Sequence, residues 1–204
     1  LLKAIGEEKL SYTTHLTING TINSYDIMFM RNKMPNLHHL DLTEAKIIAN
    51  PYEYYQGYHS EDHRVGGYMF ADMQKLIDVK LPKNSTYIGV VAFAGCTHLK
   101  NITMYPGITN IDRNAFLSCT ALKKLEIPKE VITIDYRAFE NCTDLDTVVI
   151  QEGLRMMDAA FYNCCNLNYI KLPNSLEEIK GQCFAGCKLE NIELPSNLLT
   201  IGHG

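Results

Sequence analysis

Apolar residues recur along this chain with a period of 22 to 23 residues. The spacings between consecutive members of one phenylalanine row are 23, 23, 23, 22 and 23 residues, and the row is Phe70, Phe93, Phe116, Phe139, Phe161 and Phe184. An alanine, methionine or cysteine precedes each phenylalanine, and a cysteine or methionine follows it by three positions. So many registered positions predict a solenoid, in which stacking turns each position into a buried row.

Each unit also contains a short alternating segment that predicts a β-strand. Ile102-Thr103-Met104 alternates apolar and polar residues, the pattern of a strand with one buried face. Repetition of this segment once per unit places the strands side by side and parallel. Proline ends the strand in four units, because it cannot donate to the ladder; these are Pro82, Pro128, Pro173 and Pro195. We count eight strands on one concave sheet, from Leu16 to Leu194.

Two further features of the unit bear on the fold. A second apolar row, which opens each unit, reads Val65, Ile88, Ile111, Ile134, Met156, Ile179 and Ile201. The A-F-x-x-C segment has helical spacing but is only about one turn long, so it predicts a short helical or 3₁₀ turn on the convex side. The predicted fold class is an α/β repeat, namely a leucine-rich-repeat solenoid with a parallel concave sheet.

The first 64 residues depart from the regular repeat. Residues 24–34 predict a helix that Asn23 or Ser24 could cap and that Pro35 closes. The 39 residues from Leu40 to Val79 exceed one repeat by about 16. We therefore predict N-terminal capping repeats over 1–64, with an insertion at 43–64, and regular repeats over 65–204, all in one continuous solenoid domain.

The repeat unit closely resembles the BspA-type leucine-rich repeats of bacterial surface proteins. Residues 134–142 (IDYRAFENC) and 167–173 (LNYIKLP) match that unit nearly position by position, and 16–47 resembles the opening repeats of such proteins from Bacteroides-type gut bacteria. A one-residue deletion after Cys187 is among the departures. The resemblance covers about residues 13–201. It implies a cell-surface or secreted protein that mediates adhesion and protein binding, with no shared catalytic residue.

Composition narrows the possible partners and the location. Apolar residues make up 46% and charged residues 21% of the 204 residues, which is typical of a globular chain. The net charge of −4 argues against nucleic acid as a partner, and no stretch is long enough for a membrane span. The first ten residues lack signal-peptide features, so the protein is either cytosolic or processed; with the resemblance, we expect an extracellular or cell-surface location and a removed signal peptide.

The C-terminal end of the sequence bears on self-association. Ile201-Gly202 begins a new repeat, which predicts that the chain is a fragment or that its final residues are disordered. The last rung would then expose Leu189, Ile192 and Leu194. We expect a monomer, or weak self-association through this uncapped end.

The cysteine row predicts buried, reduced thiols rather than a metal site. Methionine replaces cysteine at Met73, so the position favours a small or medium apolar group. The row is Cys96, Cys119, Cys142, Cys164 and Cys187. His59 and His63 have spacing that could hold a metal on a helix, but a solvated loop is the simpler interpretation. We expect no metal and no cofactor.

Catalytic motifs are absent from the sequence, which contains no G-x-S-x-G, phosphate-binding glycine loop or H-E-x-x-H. We therefore expect a recognition module rather than an enzyme, with an unknown protein or glycan as ligand. The outward strand residues are candidates for contact with it: Asp41, Lys80, Thr103, Glu126 and Lys171. The insertion adds Tyr52, Tyr54, Tyr55, Tyr58 and His59, because tyrosine and histidine suit a protein hot spot or a sugar face. Because it follows the strand that ends at Leu42, it could form one wall of a groove whose floor carries Asp41, Lys80 and Thr103.

Alternatives stay open at this point. The concave residues suit a bare solvated sheet equally well, and the tyrosines suit a loop folded on its own solenoid. The chain could be a structural spacer in a larger surface protein, or an accessory to a glycan-utilisation system.

Overall fold

The computed structural model describes residues 5–203. They form a solenoid of stacked coils that is built from short strands. A 3₁₀ helix (Glu7–Tyr12) precedes them, and α1 (Ser24–Lys33) lies in the first coil. The strands are β1 (His15–Thr17), β2 (Thr21–Ile22), β3 (His39–Asp41), β4 (Lys46–Ile47), β5 (Glu53–Tyr55), β6 (Tyr58–His59), β7 (Arg64–Val65), β8 (Asp78–Lys80), β9 (Tyr87–Ile88), β10 (Asn101–Thr103), β11 (Asn110–Ile111), β12 (Lys124–Ile127), β13 (Thr133–Ile134), β14 (Thr147–Ile150), β15 (Met156–Asp158), β16 (Tyr169–Lys171), β17 (Glu178–Lys180) and β18 (Thr200–Ile201).

The concave side carries the predicted parallel strands. They fall into two groups, β1-β3-β8-β10 and β12-β14-β16, with parallel pairing throughout. The register aligns Asp78 with Asn101, as the 23-residue period requires, and it aligns His39 with Asp78 across the longer repeat that contains the insertion. Seven of the eight predicted strands form, and the single continuous sheet that we expected is interrupted between β10 and β12.

The eighth predicted strand is absent, because residues 189–199 contain no strand in the part of the chain that the structure describes. Leu194, which should have faced the core, has half of its surface exposed. The link between Cys187 and Leu189 is one residue shorter than the link between Cys164 and Leu167. We attribute the missing strand to this shorter link, which changes the path by which the chain returns to the concave side.

A second parallel sheet, which the sequence did not lead us to expect, follows each concave strand. Its order is β18-β17-β15-β13-β11-β9-β7. The second apolar row supplies its buried residues with two corrections. Ile134 pairs with Met157, which is buried, whereas Met156 is only half-buried, and Ile201 at the end of the row is exposed. Most of these strands are two residues long, too short for an alternating pattern to identify.

The convex side holds the predicted turns, as separate hydrogen-bonded turns rather than a continuous helix. Two residues with left-handed backbone flank each phenylalanine of the row, for example Asn114 and Ser118 around Phe116. The intervening backbone bonds to the next coil, since Phe116 N–H donates to the Ala138 carbonyl at 2.7 Å. The left-handed residues thus redirect N–H groups from the local turn to the neighbouring coil.

Val91 is strained by this conformation, because its φ of 58° is unfavourable for a β-branched residue. We expect Val91→Asn to raise the free energy of unfolding by about 1 kcal/mol, since asparagine tolerates left-handed backbone. Asn114 holds the equivalent position in the next coil, with φ 54°. The matched change Asn114→Val should therefore destabilise by a similar amount. Denaturant unfolding measures both, and a stability loss in Val91→Asn would contradict the assignment of strain.

The core is a stack of rows that run through the coils. The phenylalanine rings lie face to face, with centroids 5.1, 5.2, 5.0, 5.4 and 6.2 Å apart from Phe70 to Phe184. Beside them, each thiol of the cysteine row donates to a phenylalanine carbonyl of the preceding coil, as Cys119 Sγ does to Phe93 O at 3.2 Å. Cysteine therefore fills a small apolar space and satisfies a buried carbonyl as well.

The thiols are free in all seven cysteines, as predicted for the row. Cys187 differs from its four buried counterparts and is only half-buried, because among the described residues no full coil covers it. Burial raises the pKa of Cys96 to about 12 and that of Cys183 to about 11, so both stay protonated. Cys165 alone is exposed.

Thiol titration should reflect this burial. We expect Cys165 to react at once with a disulfide reagent in the native protein and Cys187 more slowly, because reaction needs access and a thiolate. The other five cysteines should react only in denaturant, to a total of seven free thiols. Five or fewer free thiols in denaturant would show that at least one disulfide joins two of these cysteines.

Helix α1 lies on the convex side of the first coil and confirms the predicted helix. Asn23 caps it, accepting from Tyr25 N–H at 3.0 Å, while the Asp26 carboxylate accepts from Asn23 N–H at 3.1 Å. This reciprocal capping satisfies two backbone donors that a helix start otherwise leaves unpaired. Ile27 and Met30 turn inward and are fully buried.

Candidate functional site

The concave surface consists of two outward rows, because alternate residues of each strand point away from the core. One row is His15, His39, Asp78, Asn101, Lys124, Thr147 and Tyr169. The other is Thr17, Asp41, Lys80, Thr103, Glu126, Val149 and Lys171. The five concave candidates from the sequence all lie in the second row. The first row contains the histidines His15 and His39.

Asp41 and Lys80 form an ion pair across neighbouring strands. Lys80 Nζ lies 2.8 Å from Asp41 Oδ2, and Thr43 N–H donates to Asp41 Oδ1 at 3.0 Å. The hydrogen bond from Lys80, with the further one from Thr43, lowers the pKa of Asp41 to about 2. This carboxylate is therefore held in one position and stays ionised.

Titration of Asp41 tests the ion pair. We expect the Lys80→Met variant to raise the Asp41 pKa, measured by NMR, towards its ordinary value of 3.8, because the largest of the causes that lower it is lost while the hydrogen bonds from Thr43 remain. Because the folded-state pKa is depressed, the contribution of Asp41 to stability is present above about pH 4 and is lost as the pH falls towards 2. Lys83→Met is the control, since Lys83 pairs with Glu44 instead. An unchanged Asp41 pKa in Lys80→Met would contradict this pairing.

The first concave row holds a second polar network. The rings of His15 and His39 stack with centroids 4.2 Å apart, and His39 Nδ1 lies 2.6 Å from Asp78 Oδ2. Asn101 Nδ2 donates to Asp78 Oδ1. Together with the Asp41–Lys80 pair, these side chains line a shallow cavity of about 440 Å³ over β1, β3, β8 and β10.

The remaining concave candidates lie on the second group of strands. Glu126 accepts from Gln151 Nε2 at 2.9 Å. Lys171 lies at the end of β16, beside the exposed Tyr169. The structure thus places Asp41, Lys80 and Thr103 together, and Glu126 and Lys171 on the other side of the interruption.

The insertion folds into the antiparallel hairpin β5–β6. Gln56 and Gly57 form its turn, with φ of 37° and 88°, as a tight hairpin turn with two left-handed residues requires. The hairpin is joined to the start of α1 by a buried serine pair: Ser24 N–H donates to Ser60 Oγ at 3.0 Å, and Ser60 N–H donates to Ser24 Oγ at 2.9 Å. The chain enters the hairpin after β4, which pairs with β2 in a separate two-stranded parallel sheet, and not after the concave strand β3.

Most of the insertion's aromatic side chains pack on the solenoid. Tyr54 is 5% exposed, and its hydroxyl donates to the Gly67 carbonyl at 2.7 Å. Tyr55 and Tyr58 both contact the Tyr68 ring, at centroid distances of 5.4 and 4.9 Å. Arg31 of α1 lies over the Tyr55 ring at 4.5 Å. These contacts fix the hairpin against α1 and the first convex turns.

This position corrects one expectation from the sequence. We expected the insertion to form a wall beside Asp41, Lys80 and Thr103, but its contacts lie with α1 and the turns around Tyr68. The physical reason is that the rings of Tyr54, Tyr55 and Tyr58 bury apolar surface against the convex side of the solenoid. Tyr52, 60% exposed, contacts Tyr25 at 5.2 Å, and His59 is also exposed.

The histidines of the insertion do not adopt helical geometry. His59 ends strand β6, and His63 is a left-handed residue whose Nδ1 contacts Asn84 Nδ2 at 2.9 Å. Across the described residues 5–203, no group of three or more His, Cys, Asp or Glu side chains could hold a metal ion. In the same range, no helix has the length and apolar character to cross a membrane.

Comparison with known proteins places this fold in a family. A family model for the BspA type leucine rich repeat region matches residues 63–160 and 155–204, with six copies. A leucine rich cell surface protein from Faecalibacterium prausnitzii is 33% identical over 72% of this chain and 41% of its own, with a TM-score of 0.62. No curated protein matches the chain.

Two further solved structures share the fold. The leucine-rich repeat protein of T. pallidum is 26% identical over 62% of this chain and 71% of its own, with a TM-score of 0.50. A leucine-rich repeat protein from Eubacterium ventriosum is 20% identical over 83% of this chain and 52% of its own, with a TM-score of 0.53. This chain spans less than half the length of the Faecalibacterium protein. Because the family model covers residues 63–204 and the coils stack as its repeats require, the chain belongs to the BspA-type leucine-rich-repeat family.

Proposed function

We propose that this chain is a non-catalytic recognition module that binds a protein or glycan through its concave surface. The observation that carries the proposal is the fixed polar network over β1, β3, β8 and β10. There the Asp41–Lys80 and His39–Asp78 pairs span neighbouring strands at 2.8 and 2.6 Å. A ligand that meets side chains already held in place loses less conformational entropy on binding, which favours affinity.

The insertion plays a smaller part in this proposal than the sequence suggested. Tyr54, Tyr55 and Tyr58 have packing contacts of their own, which account for these rings without a ligand. Tyr52 and His59 remain exposed, on a different part of the surface from the cavity. We therefore assign the insertion mainly to stabilising the first coils.

An extracellular or cell-surface location in a bacterium belongs to the same proposal. It is supported by the description of the Faecalibacterium relative as a cell surface protein. A surface module of this kind would meet proteins and glycans outside the cell.

Charge reversal on the concave surface tests the proposal. We would screen the purified chain on an array of extracellular proteins and glycans, and then measure each hit by biolayer interferometry. We expect Lys80→Glu to weaken binding at least about tenfold, because it places a third carboxylate in the network of Asp41 and Asp78. Lys46→Glu is the matched control, since Lys46 is exposed on β4, which pairs with β2 outside the concave strands and does not line the cavity.

Two results would overturn the concave-surface proposal. Equal binding by Lys80→Glu and Lys46→Glu would place the contact elsewhere. The absence of any hit on the array would favour the alternative of a structural spacer without its own ligand.

A further inference from the structure

A second groove lies at the other end of the concave surface. It measures about 920 Å³ and runs between β16 and the chain segment 188–193. Its lining includes Tyr169, Lys171, Asn168 and Asn191. The volume lies in the range of sites that hold small ligands.

The groove exists because the chain leaves the solenoid surface between two anchored points. On one side of the gap, Lys188 N–H donates to Leu167 O at 2.9 Å, and its Nζ donates to Asn166 Oδ1 at 3.0 Å. On the other side, Asn197 Nδ2 donates to Asn174 O at 3.0 Å. Residues 190–194 between these anchors are exposed and form no ladder with β16.

Tyr169 forms an open aromatic face in this groove. Five tyrosines have more than a third of their surface exposed: Tyr12, Tyr25, Tyr52, Tyr136 and Tyr169. Tyr25 and Tyr52 contact each other, and Arg137 lies over Tyr136. Tyr169 is 52% exposed, and within residues 5–203 its ring has no aromatic or cationic partner. It is the tyrosine of this set that lies on a concave strand.

The charges and amides around Tyr169 indicate the chemistry of a ligand. Lys171 and Lys188 are balanced by Glu190 and Glu193, so the groove has no excess of either charge. Asn168 and Asn191 add two exposed amides, each able to donate and accept. An aromatic face with hydrogen-bonding groups and no net charge suits a ligand that is itself neutral and rich in hydroxyl groups.

We propose that this groove binds a neutral oligosaccharide, with one pyranose ring stacked on Tyr169 and its hydroxyl groups bonded to the amides of Asn168 and Asn191. This inference rests on the proposed recognition function and assigns a ligand class to one part of the concave surface. The charged network at the opposite end remains available for a different contact.

Affinity electrophoresis tests this assignment directly. The native chain would be run in gels that contain galactomannan, mixed-linkage β-glucan or arabinoxylan, with polygalacturonate as the acidic comparison. Calorimetry with oligosaccharides of the retarding polymer would then give the affinity. We expect at least one neutral polymer to retard the chain, and Tyr169→Ala to weaken binding at least about tenfold, the usual effect of losing a central aromatic contact.

Two control variants separate stacking from general damage. Tyr169→Phe should keep binding, because the ring face remains. Tyr52→Ala should bind as the wild type does, since Tyr52, with 60% of its surface exposed against 52% for Tyr169, lies on the insertion and away from the groove. Far-UV circular dichroism would confirm that all three variants remain folded.

The negative results are distinct from those of the first proposal. No retardation by any neutral polymer, retardation by polygalacturonate alone, or unchanged binding by Tyr169→Ala would each overturn the oligosaccharide site. If a protein ligand is still lost in Lys80→Glu, the recognition function stands while this ligand class fails.

Discussion

Replacing Phe139 with alanine should lower the free energy of unfolding by about 3–5 kcal/mol, as for other fully buried aromatic residues. The Phe139 ring is fully buried and stacks between Phe116 and Phe161, at centroid distances of 5.0 and 5.4 Å. Its removal leaves a cavity that two neighbouring coils line, and the flat rings on either side cannot both move in to fill it. Denaturant unfolding followed by circular dichroism measures the loss.

Phe184→Ala is the matched control for this prediction. Phe184 occupies the same repeat position but is only half-buried, and its centroid lies 6.2 Å from that of Phe161. The same substitution should therefore cost clearly less there, because less apolar surface leaves contact. Equal losses in the two variants would show that stacking along the row does not determine stability.

Replacing Tyr54 with alanine should also destabilise strongly, by about 3 kcal/mol, because it empties a buried aromatic site. The lost ring leaves the Gly67 carbonyl without its 2.7 Å hydrogen bond and removes one of the contacts that hold the hairpin on the solenoid. Tyr54→Phe keeps the ring and removes the hydroxyl, so it should cost about 1 kcal/mol. Thermal and denaturant unfolding measure both variants.

Tyr52→Ala provides the comparison within the insertion. Tyr52 is 60% exposed, and its ring lies beside that of the exposed Tyr25, so its loss should change stability by less than about 0.5 kcal/mol. A strong effect of Tyr52→Ala with little effect of Tyr54→Ala would mean that the hairpin is held differently. Tyr54 would then again be a candidate for contact with a binding partner.

The convex turns show how a local signal was present in the sequence and was missed. Two positions after each phenylalanine the chain has Asp72, Gly95, Ser118, Asn141, Asn163 and Gly186. All six residues have positive φ, and glycine, asparagine and aspartate are the residues that adopt this backbone most readily. The composition of this position alone argued against a helix, although the A-F-x-x-C spacing favoured one.

The concave side shows the opposite case. There the sequence predicts which strand residues point to solvent, but it does not predict which of these side chains contact each other. Alternation predicts correctly that Asp41 and Lys80 point away from the core. Their 2.8 Å ion pair depends on the register between β3 and β8, and the insertion between those strands hides that register in the sequence. The stacking of His15 on His39 depends on register in the same way.

The period of the apolar rows determined the solenoid, the buried phenylalanine and cysteine rows and the orientation of the strand residues, because each of these follows from which positions must leave water. The capped helix α1 was likewise set by local residues. Only the tertiary structure decided the second sheet, the loss of the eighth strand and the side on which the insertion packs. These features depend on which coil lies beside which, and segments of two residues or a short hairpin have too little local preference to choose their neighbours without that stack.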